Sequence, residues 1–325
     1  MNDDHAQLVR LLPDPAQHDL SEDRQQVLRD RFMQQLDDPR AARAAVRGAR
    51  RRRRWVLVPA TAVVLVVALW VVSAVSLGVG RFWAGRTEAG GLLDRIALVA
   101  ASSNDIPRAD QVRDDQFEFV ETYGSYMNYT TGPDGKTTAA LGKPHRRQIW
   151  KSVNGGPGGL LRDPDDDSGD VTIIFSGGES LNAPSFRYLT TLPTNPDLLL
   201  ANIYLKTFGA GTSPQQEAFV TIGDLMRESA VPAKLARTLY EAAARIPGVT
   251  VIDDSVDALG RHGIAVAHTD GGNRTEWIFD RTTLQFLGER GVAVEAGDWG
   301  PAGTVTASTA VVARAIVDKA GQTPA

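Results

Sequence analysis

The stretch from Trp55 to Val79, WVLVPATAVVLVVALWVVSAVSLGV, carries no charged residue and constrains the chain more than any other part of it. At about 1.5 Å of rise per residue it is long enough to cross a hydrocarbon core of roughly 30 Å. In lipid a single segment satisfies its own backbone only as a helix. Pro59 falls in the opening turns, where a missing N–H costs little. Arg50, Arg51, Arg52, Arg53 and Arg54 stand directly before the stretch, and only Arg81 and Arg86 follow closely after it. This charge bias predicts residues 1–54 in the cytoplasm and the chain beyond residue 80 outside. Trp55 at one end, with Phe82 and Trp83 at the other, fit interfacial anchors. A buried core helix would be shorter and amphipathic. A cleaved signal peptide would have a shorter apolar region close to the N-terminus, and a small-residue cleavage site. The expectation is therefore an uncleaved signal-anchor helix over 55–80, in a single-pass cell-membrane protein with its N-terminus inside.

Four segments follow: a cytoplasmic helical and basic segment 1–54, the anchor 55–80, a linker with an amphipathic helix 81–115, and an exported domain 116–325. The last is long enough for a proper core. The chain has no cysteine, which is compatible with export and excludes cysteine catalysis, Cys-ligated zinc and iron–sulfur clusters.

In the cytoplasmic segment, Ser21 can cap a helix whose first turn carries Glu22 and Asp23. Val27, Leu28, Phe32 and Leu36 then recur at helical spacing, and Asp38-Pro39 ends the run. No domain surrounds this narrow apolar stripe, so a partner, either a cytoplasmic protein in trans or a second copy of the chain, is expected to cover it. The arginines before the anchor read as a topology signal that also attracts anionic lipid. No aromatic residue interleaves them, so nucleic acid is not expected.

Beyond the anchor, Gly90-Gly91 reads as a flexible break and Leu92–Ala100 as an amphipathic helix. Strand-like patterns follow around Phe117 and Phe119, over Gln148–Val153, over Val171–Phe175 and over Phe186–Thr190. The period then changes. Asn195-Pro196-Asp197 and Ser213-Pro214 are helix starts, and Pro232 opens a third helix that Pro247-Gly248 closes. The inward positions are predicted to be Leu198, Leu199, Ile203 and Tyr204, then Phe219, Ile222, Leu225 and Met226, then Leu235, Ala236, Leu239, Tyr240 and Ala243. Strands return over Val249–Ile252, Ile264–His268, Thr275–Phe279, Leu284–Arg290 and Gly303–Val312, with hairpin turns at Asp270–Asn273 and Asp280–Thr283 and a frayed polar C-terminus. Strands, then helices, then strands predict an α+β domain whose helices cover one face of a curved antiparallel sheet.

Few motifs carry chemistry. Gly135-Lys136-Thr137 ends like a phosphate loop, but the glycine needed five residues earlier is Thr130. Asp163, Asp165, Asp167 and Asp170 are spaced as in a calcium loop. Ser168 stands where the loop needs glycine and Ile174 where it needs glutamate, leaving a solvated acidic loop or a weak calcium site as the two readings. Gly178–Asn182 lacks the second glycine of a nucleophile elbow. None of His5, His18, His145, His262 and His268 has zinc-protease spacing. No catalytic, cofactor-binding or metal-binding residue is assigned, and no enzyme activity is expected.

The segments DLSEDRQQVLRDRFM, LLDRIALVA, VRDDQFEFV, FRYLTTLPTNPDLLL, IPGVTVIDDSVDALGRHGIAV and TEWIFDRTTLQFLGER, with the arginine run and anchor, resemble an uncharacterised family of single-pass membrane proteins from high-GC Gram-positive bacteria. The resemblance implies an exported domain similar to the open half-barrels of lipoprotein-carrier-like proteins. It also implies a link to extracytoplasmic-function sigma factors. The zinc-binding H-x-x-x-C-x-x-C of many anti-sigma factors is absent. Two functional readings follow. In the first, an extracytoplasmic sensor or binding domain relays an envelope signal to a cytoplasmic regulator such as a sigma factor. In the second, the anchor is only a tether and the exported half-barrel binds a lipid or lipopeptide, a lipophilic ligand outside the cell.

Overall fold

The computed structural model describes residues 87–131, 137–164, 170–173 and 180–324. The anchor expected over 55–80, the stripe at Val27, Leu28, Phe32 and Leu36, and Arg50–Arg54 lie outside the described residues, as do Gly135 and Lys136. Among the described residues no helix is long and apolar enough to cross a membrane.

The folded unit opens with helix α1 (Glu88–Ser102), whose N-cap Thr87 accepts from the Gly90 amide through Oγ1 at 3.1 Å. Gly90-Gly91, expected as a break, therefore lies inside the first turn, where the cap supplies the partner that glycine alone would leave to water. Leu92, Leu93, Ile96 and Ala97 enter the same core as the other helices. Packing thus carries the folded domain back beyond residue 116, to Glu88 at least.

Five strands come next: β1 (Phe117–Thr131), β2 (Thr137–Leu141), β3 (His145–Ser152), β4 (Gly159–Arg162) and β5 (Val171–Ile173). β2 and β4 lack an alternating apolar pattern, and pairing with β1 and β3 defines them instead. Four helices then cross over: α2 (Phe186–Thr191), α3 (Pro196–Lys206), α4 (Pro214–Glu228) and α5 (Ala233–Ala243). The last five strands are β6 (Thr250–Val256), β7 (His262–Asp270), β8 (Asn273–Phe279), β9 (Phe286–Ala293) and β10 (Val305–Val317).

All the pairings are antiparallel, and the main path runs β5-β4-β3-β1-β10-β9-β8-β7-β6, with β2 paired to β1 alone. The sheet is open, ending at β5 and β6. Its two meanders meet where the first and last strands pair, from Phe117↔Val317 to Tyr126↔Ala307. The connection from β5 to β6 leads from one edge to the other, and it carries α2 to α5. The fold is α+β with a largely antiparallel sheet, as the order of patterns predicts.

Four local expectations need correction. Phe186–Thr191 is a helix, not a strand, because Ser185 caps it by accepting from the Tyr188 amide at 3.1 Å. On α3 the buried residues are Leu199, Leu200 and Ile203, whereas Leu198 is 64% exposed. The helix meets its neighbours through one side, and Leu198 lies off it. Strand β9 starts at Phe286 because Leu284 takes φ 56° in a turn where Asp280 accepts from the amides of Thr282 and Thr283. The C-terminal segment is tied down through Gln322: its carbonyl accepts from Trp150 Nε1 at 2.6 Å, while Asp318 accepts from Arg113 and Gln116, each at 2.9 Å.

Side chains of successive residues divide between the two faces. Val266, Trp277 and Phe279 join the helices in the main core. Ala265 and Ile278 lie on the other face with Leu287. On the other half-sheet, Phe119 and Trp150 are fully buried on that same outer face, under the segment that contains Ala320.

Candidate functional site

Helix α4 brings a set of charges together at the edge of a cleft. Ser213 caps it through Oγ on the Gln216 amide at 3.2 Å, Pro214 fills the first turn and Glu217 favours the positive end of the dipole. Phe219 then stacks on Trp277 with ring centroids 3.8 Å apart and planes 6° from parallel. One turn on, Gly223 lets the helix approach the sheet. A Cβ there would collide with Glu289 Oε1 and Trp277 Nε1.

Past that contact, the Arg227 guanidinium reaches three carboxylates. It pairs with Glu289 of β9, with Asp224 at 2.7 Å and with Glu228 at 2.8 Å. The Glu289 side chain is 9% exposed and that of Asp224 46%, so the cluster runs from the sheet to solvent. Burial raises Glu289 to about 7 despite Arg227, and the charges of Asp224 and Glu228 add to the rise. Burial alone would lower Arg227, but Glu289, Tyr126, Asp224 and Glu228 hold it well above its ordinary value. Arg227 Nε and Trp277 Nε1 are buried without a hydrogen-bond partner, a local cost that the rest of the core offsets. The cluster borders a cleft of about 160 Å³ between α4 and the strands, whose walls include Tyr126, Asn273, Thr275 and Thr306.

The far end of α4 is fixed by three strands. Lys151 of β3 donates to the Glu228 carbonyl at 2.9 Å and to Ser229 Oγ at 3.2 Å. Arg314 of β10 donates to the Met226 carbonyl, and Glu118 of β1 accepts from the Ala230 amide. Cations thus meet the negative end of the helix dipole, and a carboxylate takes the first amide beyond it. Glu118 is itself 3.6 Å from Lys151, with both side chains almost fully buried.

Of the acidic loop, Asp163 faces His145 at 3.1 Å and Arg147 at 3.7 Å, and Asp170 faces Arg162 at 2.8 Å. Asp165 and Asp167 lie outside the described residues. Two of the four carboxylates are therefore turned to cations, which favours the solvated-loop reading. Among the described residues no group of His, Asp and Glu converges as a metal site. His268 of β7 is buried between Gln216 Oε1, 2.7 Å from Nδ1, and the Pro247 carbonyl, 3.2 Å from Nε2.

Comparison with family models, with curated proteins and with solved structures finds no match. Neither Arg227 nor Glu289 belongs to a sequence motif; the signal for the cluster is a charged residue, Glu289, inside the strand pattern of β9.

Proposed function

We propose that this chain is a single-pass membrane protein whose extracytoplasmic domain senses or binds an envelope cue and relays it to a cytoplasmic regulator such as a sigma factor, without catalysis. The observation that carries the reading is the filling of the sheet's helix face. Leu199, Ile203, Phe219, Ile222, Leu239 and Tyr240 occupy it as a packed core. Two clefts among the described residues, one under α4 and one beside the end of α3, measure about 160 and 230 Å³ and include charged walls. Ligand pockets for larger apolar molecules run from about 300 Å³ upward and are mainly apolar. The tethered lipid-carrier reading needs such a space, so the signalling reading is preferred.

The half-barrel-like curvature belongs to the same proposal. Register shifts at Glu121/Thr122, Ile252/Ser255, Ile278/Phe279 and Val305/Ala307 support it, since bulges bend and twist a sheet.

The test is co-purification of the full chain from detergent-solubilised membranes, beside a Leu28→Ala/Phe32→Ala double variant. The wild type should retain a cytoplasmic regulator that the variant loses. Equal recovery by both, or recovery of no regulator by either, removes the signalling reading.

A further inference from the structure

Helix α3 is apolar on both sides. Leu199, Leu200 and Ile203 sit in the core. On the other side Leu198 is 64% exposed, Leu205 76% and Phe208, just past the helix, 85%. With exposed Ala201, Leu198 and Leu205 follow the i, i+3, i+7 spacing of one helical stripe, and Phe208 follows in the turn beyond the helix. A contiguous exposed stripe of large apolar side chains marks an interaction surface.

We propose that this stripe docks the domain on the outer leaflet of the phospholipid bilayer that holds the chain. The proposal rests on the reading of 55–80 as a membrane anchor and goes beyond it, because an anchor alone leaves the domain free to point anywhere.

The tether places the stripe. The start of α1, the end of α5 and the start of α3 converge: a side chain built on Gly90 would come within 3.9 Å of the Ala244 carbonyl oxygen, and Arg245 binds Asp197 at 2.7 Å. Residues 80–87 join this corner to the anchor. At no more than about 3.5 Å per residue, eight residues span roughly 30 Å at most, so the length of chain limits how far this corner can stand from an anchored end. Leu198 follows Asp197 directly, so one end of the stripe lies at that corner.

The chemistry of the face fits lipid. Two leucines and a phenylalanine can enter the acyl boundary, as on an interfacial helix. Lys206, between Leu205 and Phe208 in the sequence, holds its ammonium 3.0 Å from the Tyr188 hydroxyl, so a positive charge and a phenol stand beside the apolar side chains, a pairing suited to the headgroup level. Asp197, the acid of α3, is matched by Arg245.

Because the chain has no cysteine, a single labelling site can be introduced anywhere. The full chain would be reconstituted in phosphatidylcholine–phosphatidylglycerol vesicles with an environment-sensitive fluorophore at Leu205→Cys. A second preparation would carry it at Lys319→Cys, in the segment covering the sheet's other face. Nitroxide lipid should quench the label at 205 at least about fivefold more than the label at 319, and iodide should show the reverse order. Adding Leu198→Gln and Phe208→Ser to the 205-labelled chain should reduce the lipid quenching. Equal iodide access at both sites overturns the proposal. Protection of 205 from iodide without lipid quenching also overturns it, and assigns the stripe to a second copy or another protein. A chain that fails to float with the vesicles removes the anchor reading and the proposal with it, a result distinct from a floating chain whose stripe stays in water.

Discussion

The indole of Trp277 lies flat against the Phe219 ring at 3.8 Å, and the helix that carries Phe219 comes that close because residue 223 has no side chain. Helix propensity alone would make Gly223→Ala stabilising by about 1 kcal/mol. The collision with Glu289 and Trp277 reverses the sign, and overpacking of this kind costs about 1–3 kcal/mol. Urea denaturation of the variant should show a lower midpoint than the parent. A higher midpoint would mean that α4 has slack above the sheet.

Leu239 is fully buried on α5 in the main core. Leu239→Asp places a carboxylate there without a designed partner, and the expected loss is several kcal/mol. A melting curve indistinguishable from the parent's would show that this face of α5 is not packed on the sheet.

Glu289 gives a pH dependence of definite sign. Its folded pKa of about 7 lies above the ordinary 4.5, so the folded state holds this proton more tightly than the unfolded chain. Its contribution is unperturbed below about pH 4.5. It becomes increasingly destabilising as pH rises to 7, and it is constant above that. The full shift corresponds to roughly 3 kcal/mol. Glu289→Gln removes this slope. The stability difference between variant and parent, measured by denaturation at pH 5 and pH 8, should therefore move in the variant's favour at the higher pH. Parallel pH curves would contradict the assignment.

The parts of the fold that were legible are those whose signals are local. Ser213-Pro214 and Asn195-Pro196 announce helix starts within a few residues, and the cap bonds to Gln216, Asp197 and Leu198 form where expected. The inward sides of α4 and α5 follow from 3.6-residue periodicity alone. The charge cluster was not legible, because Glu289 joins the intrahelical Asp224–Arg227 pair only after α4 docks on β9. Glu118 and Lys151 were hidden for a related reason. Around Glu118 of β1 and Lys151 of β3 both faces of the sheet are covered, so these polar positions, which alternation assigns to solvent, are buried against the end of α4.

Under the proposed topology the stripe at Val27, Leu28, Phe32 and Leu36 faces the cytoplasm. A lone helix of the length its sequence predicts is marginal in water, so a partner would order it on binding through Phe32 and its neighbours. Residues 1–54, immobilised, should bind the regulator recovered with the full chain. Leu28→Ala with Phe32→Ala should weaken that binding at least about tenfold, whereas Arg43→Ala with Arg47→Ala should leave it largely intact. Loss that follows the arginines would make the segment a membrane-surface signal.

The central claim is that the anchor separates a cytoplasmic segment from a folded domain outside. It is tested most directly by a reporter enzyme that becomes active only outside the cytosol, fused after Asp38 in one strain and after Ala325 in another. The account predicts activity from the fusion after Ala325 and none from the fusion after Asp38. Activity in the opposite order, or in neither strain with both fusions intact, would contradict it.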